Sequence, residues 1–112
     1  MKAEMKEING IKIARMAGQV RIPTQHDFRD ILDELAKDCE GGTVIINMDG
    51  VVHMDSAGLS IITEADRRFK EKKGKLILCN LLPDIMKLFE VTKLNKFIEI
   101  YPSEREALNR LK

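Results

Sequence analysis

The sequence has no tryptophan, one tyrosine and four phenylalanines. So few aromatic rings argue against a surface on which nucleic-acid bases would stack. Neither sign of charge is in excess: 19 Lys and Arg stand against 18 Asp and Glu, a net charge of +1. A chain so balanced exerts no overall pull on a polyanion. The basic residues that do cluster, Arg67-Arg68 and Lys70 to Lys75, are interleaved with Glu64, Asp66 and Glu71. That is the pattern of a solvated helix face rather than a phosphate-binding stripe. No apolar run nears the roughly 20 residues that a membrane helix needs, and the start, Met1 to Glu7, lacks a signal-peptide core. The expectation is a cytoplasmic chain with no membrane and no direct nucleic-acid partner.

Cysteine is equally sparse. Cys39 and Cys79 have no metal-type spacing, and two thiols in a charged chain of this kind are expected to be reduced. Cys79, inside an apolar run, reads as a small packing residue. His26 and His53 have no companions at ligand spacing, so no metal site is expected. Neither Gly-x-Gly-x-x-Gly nor the P-loop spacing occurs, and no nucleotide cofactor is expected. With 112 residues there is room for one compact domain, 1–112, and one core.

What is present is a regular alternation. Asn9-Gly10 sits between two short apolar segments and predicts a hairpin, with strands over roughly 3–8 and 11–17 ending at Gly18. Thr24 is placed to cap a helix with Asp27 in its first turn. Phe28, Ile31, Leu32 and Leu35 follow at helical spacing, and Gly41-Gly42 stops the helix. The run Thr43 to Met48 reads as a strand too continuously apolar to leave one face in water. A second helix, about Gly58 to Lys73, places Leu59, Ile62, Ala65, Asp66 and Phe69 near one stripe and ends at Gly74. Lys75 to Cys79 makes the next strand, and Pro83 opens a short helix to about Val91. Phe97-Ile98-Glu99-Ile100 suggests a last strand. Ser103-Glu104-Arg105-Glu106 offers a capping box for a final helix with Ala107, Leu108 and Leu111. The order β-β-α-β-α-β-α-β-α predicts an α/β fold, a mostly parallel mixed sheet with right-handed crossovers and helices against it.

The stretch from Val51 to Leu59 joins the third strand to the second helix and reads as a short loop ending in a helix start. Asp55, Ser56 and Gly58 suit the first turn of a helix, whose N–H groups lack partners. Ser56 is read in two ways: as a capping residue with no further task, or as a hydroxyl presented to a partner. As a catalytic nucleophile it would need a placed base and an oxyanion site. The Gly-x-Ser-x-Gly elbow is absent, with Met54 at its first glycine, and His53 would have to fold back over the chain to reach the hydroxyl. No enzymatic activity is expected.

From Met54 to Leu59 the order apolar-Asp-Ser-small-Gly-Leu resembles the signature of bacterial STAS domains of the anti-sigma factor antagonist type. The resemblance runs from about Ile8 to Leu111, taking in Lys75-Leu76-Ile77-Leu78-Cys79, Ile85-Met86-Lys87-Leu88-Phe89 and Thr92-Lys93-Leu94. It implies the STAS fold, about five strands with four helices. It implies phosphorylation of Ser56 by a partner, an anti-sigma factor of the serine-kinase ATPase type that holds the ATP itself. Unphosphorylated, the chain would bind that anti-sigma factor and release a sigma factor; phosphorylation would end the binding, and a serine phosphatase would restore it. The implied docking surface comprises Asp55, Ser56, Ala57, Gly58 and Leu59, with Met86 and Phe89 of the third helix, whose default role is core packing. Gly18-Gln19-Val20-Arg21 departs from the family pattern, in which an acid commonly stands where Arg21 does, near the expected partner. The alternative is a STAS scaffold without a switch, a subunit of a stress-signalling or lipid-transport complex, in which Ser56 only caps.

Overall fold

A computed structural model describes residues 2–20, 25–39 and 41–111. Its elements are β1 (Lys2–Ile8), β2 (Ile11–Val20), α1 (Gln25–Asp38), β3 (Thr43–Met54), α2 (Ser56–Glu71), β4 (Lys75–Cys79), α3 (Pro83–Val91), β5 (Glu99–Tyr101) and α4 (Glu104–Arg110), with a 3-10 turn at Leu94–Lys96. The strands form one sheet in the order β1-β2-β3-β4-β5. Only β1 and β2 are antiparallel; the other neighbours are parallel. The hairpin turn puts Asn9 at φ 53° and Gly10 at φ 80°. Those are the positive values a two-residue turn needs if it is to match the twist of its strands.

The two faces of the sheet are covered unequally. Val44, Ile46 and Met48 of β3 lie in the larger core with Phe28, Leu32 and Leu35 of α1, Leu59, Ile62 and Phe69 of α2, and Ile85 and Phe89 of α3. Ile13, Ile45, Ile77 and Cys79 face the other way and pack on Ala107 of α4, with Leu108 and Leu111 beside them. The unbroken apolar run Val44-Ile45-Ile46 therefore has protein on both sides, as its composition requires. Every member of the predicted α2 stripe is buried, Asp66 included, and Lys70 pairs with the Asp66 carboxylate at 2.8 Å.

Two expectations need correction. The stretch before Asp55 is not a loop: β3 continues to Met54, and one residue separates it from α2. Asp49-Gly50 has turn-forming composition, but β2 also runs on to Val20 and supplies a ladder, pairing Ala17 with Gly50, Gly18 with Val51 and Val20 with Met54. Register shifts between Arg15 and Ala17 and between Gly18 and Gln19 absorb the extra residues as bulges. The last strand is Glu99–Tyr101, not Phe97 to Ile100, because the 3-10 turn holds the preceding residues: the Phe97 and Ile98 amides both donate to the Leu94 carbonyl at 3.0 Å. Thr24, the expected cap of α1, lies outside the described residues.

Candidate functional site

The junction of β3 and α2 is built from the backbone outward. Asp55 is extended, with φ −110° and ψ −170°, and is the N-cap of α2. Its Oδ1 accepts from the Ala57 amide at 3.0 Å and, at longer range, from the Gly58 amide at 3.4 Å. Its own amide donates to the Val20 carbonyl at 3.1 Å, and its carbonyl accepts from the Leu59 amide at 3.2 Å. One residue thus fastens the end of β2, the end of β3 and the start of α2. A cap of this kind contributes about 1 kcal/mol.

Ser56 is consequently the first helical residue and not the cap. It is exposed, and among the described residues none hydrogen-bonds its hydroxyl. The first turn of α2 holds no acidic side chain beyond the cap, so the helix dipole leaves a positive end at the serine. His53 is exposed at the end of β3, and no hydrogen bond joins it to Ser56 among the described residues. The acid-base contact that a nucleophilic serine needs is absent from that pair.

Gly58 serves the packing of the junction itself. It is buried, and a Cβ there would lie 2.5 Å from Met54 Cγ and 3.0 Å from Val20 Cγ1. The missing side chain lets the first turn of α2 settle onto the ends of β2 and β3. Leu59 is also buried, in the main core. Asp55, Ala57 and Met86 are half-buried, whereas Phe89 is fully enclosed and works as a core residue. The exposed large apolar side chain of α3 is Val91, at 72%, and that of β3 is Val52, at 61%. Arg21 lies outside the described residues. Sequence reasoning missed Val20 as a partner of the junction. No local signal marks it, because its contacts with Asp55 and Gly58 are made across the sheet.

No cluster of His, Cys, Asp or Glu among the described residues is placed to hold a metal ion. Among those residues no helix is long and apolar enough to cross a membrane.

The STAS domain family model matches this chain over residues 2–107. The chain belongs to the STAS domain family. An anti-sigma F factor antagonist of Paenibacillus polymyxa is 26% identical over 111 residues, 99% of this chain and 95% of that protein. Among solved structures, an anti-sigma factor antagonist from Mycobacterium paratuberculosis superposes with a TM-score of 0.87 at 17% identity, covering 97% of this chain and 92% of that one. The Bacillus cell fate determinant SpoIIAA in its phosphorylated form gives 0.71 at 20% identity, covering 99% and 100%. At those identities the structures show the fold alone.

Proposed function

We propose that this protein is an anti-sigma factor antagonist whose binding is controlled by phosphorylation of Ser56. The observation that carries the reading is the division of labour at the junction: Asp55 does the capping, and Ser56 stands exposed at the first helical position, its hydroxyl bonded to none of the described residues. The names of relatives and the phosphorylated form of one structural neighbour support the same reading. The partner is an anti-sigma factor of the serine-kinase type, which binds ATP and transfers its γ-phosphoryl group to the Ser56 oxygen, releasing ADP and the hydroxyl proton. Docking uses the surface around Ser56, with Asp55, Ala57 and the exposed part of Met86. Gly58, Leu59 and Phe89 support that surface from below.

The physics of the switch follows from the location. A phosphoserine carries about −1.5 to −2 charges at neutral pH. The N-terminus of α2 tolerates that charge through its dipole, so the fold persists. A partner pressed against the junction meets new bulk and must strip water from a dianion beside the Asp55 carboxylate, so binding fails. A serine phosphatase reverses the step by hydrolysis.

Intact-mass analysis after incubation with the candidate anti-sigma factor and ATP tests this directly. One added phosphate that disappears in Ser56→Ala is expected, with binding by Ser56→Asp weakened about tenfold or more. An unphosphorylated product, together with undiminished binding by Ser56→Asp, would refute the switch.

A further inference from the structure

The two edges of the sheet are unlike. On one side β5 has three residues. On the other β1 has seven, six of them exposed, and it pairs with β2 through an unbroken register. It contains no proline. A long, regular edge with free N–H and C=O groups is a template for a further strand, and the side chains of β1 specify which strand fits.

Met5 stands opposite Ala14 and Ala3 opposite Met16, so they share the face that carries α1, α2 and α3. Glu4 stands opposite Arg15 and Lys6 opposite Ile13, on the face of α4. If two copies pair antiparallel about an axis normal to the sheet, each face stays continuous, and opposed residues must belong to the same face. Three registers then engage at least five residues of the strand. Centring on Glu4 sets Glu4 against Glu4 and Lys2 against Lys6. Centring on Lys6 sets Lys6 against itself. Centring on Met5 pairs all seven residues, sets Glu4 against Lys6 at two symmetric places and brings the two Met5 side chains, each 47% exposed, together.

We infer that this protein self-associates through β1, as an antiparallel twofold dimer centred on Met5 with one continuous sheet. The row of charge on the α4 face is already half built within each copy. Arg15 Nε donates to Glu104 at 2.8 Å, and Arg15 Nη1 lies 3.7 Å from Glu4 Oε1. Lys6 of the second copy continues that alternation, giving Glu104, Arg15, Glu4 and Lys6 in order. Cross-strand pairs of opposite charge favour a register, and like charges directly opposite disfavour it. The interface is small, so the association is weak and concentration-dependent. It is independent of the Ser56 reading, because β2 stands between β1 and the strand that leads to the serine.

Sedimentation equilibrium over a concentration series, up to about 1 mM, tests the pairing with exposed substitutions that spare the core. The wild-type mass should rise from 12.8 kDa toward twice that value. Lys6→Glu alone and Glu4→Lys alone each put like charges opposite one another and should weaken association about tenfold. Mixing the two variants in equal amounts restores opposite charges at both places, and association in the mixture should recover to within about twofold of the wild type. A wild type that stays monomeric, a dimer indifferent to both substitutions, or a mixture that fails to recover would each overturn the inference.

Discussion

Two neighbouring residues, Asp55 and Ser56, are both of helix-starting type, and only one of them caps. The backbone decides between them. Asp55 is extended and turns its carboxylate back onto the Ala57 amide, while Ser56 is already helical and its side chain points outward from the turn. Gly58 completes the arrangement by allowing close approach. Ala at that position would add a methyl group within 2.5 Å of Met54 Cγ, and overpacking of this sort costs about 1–3 kcal/mol. The better helix propensity of alanine returns up to about 1 kcal/mol. Gly58→Ala should therefore lose about 1–2 kcal/mol in urea denaturation, and a gain in stability would show that α2 does not rest on Met54 and Val20 as described. The aspartate, serine and glycine of the motif were legible in the sequence as residues of a helix start. Their division of roles was not, because the extended backbone of Asp55 and a carbonyl from a different strand decide it.

At the scale of elements, the attachment of α4 illustrates how a local signal and a distant one combine. Ser103 caps the helix, accepting from the Glu106 amide at 3.2 Å, as the capping-box spacing predicts. Glu104, one residue on, reaches across to the sheet and accepts from Arg15 Nε at 2.8 Å and Nη2 at 2.9 Å, and also from Asn47. The Arg15 hydrogen bonds, opposed by partial burial and helped by Asn47, hold the Glu104 carboxyl below its usual value of 4.5. A depressed carboxyl pKa contributes stability that is complete above the unfolded value and is lost as pH falls through the folded value. Glu104→Ala should cost on the order of 1 kcal/mol at neutral pH. The gap between wild type and variant should close as the solution is acidified below 4.5, measured by denaturant midpoints at each pH. A gap that is constant with pH would mean that the carboxylate charge is not what fastens α4. Nothing in the sequence announces this pair, since 89 positions separate its members.

Across the whole molecule the sheet is the common structural member, and its buried centre is a probe of global opening. Cys79, at the end of β4, is enclosed between the sheet and α4, and burial pushes its thiol up to about 12. Cys39 is half-buried, and burial raises its thiol as well, which slows its reaction. An alkylating reagent at pH near 8 should leave Cys79 unmodified in the native protein and label it at the rate of global unfolding. Mass spectrometry should find at most one adduct before denaturant and two after it, whereas rapid native labelling of Cys79 would contradict the enclosure. The sequence by itself determined the alternation of elements, the hairpin at Asn9-Gly10, the limits of β4 and α3 and the location of the serine. Each of these rests on short-range physics: side-chain periodicity, turn conformations and helix ends. The tertiary structure alone decided that β3 runs on to Met54, that Gly58 and Phe89 face inward, and that Glu104 holds α4 to the sheet. Those outcomes depend on hydrogen bonds and packing supplied by residues far away in the chain, which no window of neighbouring residues contains.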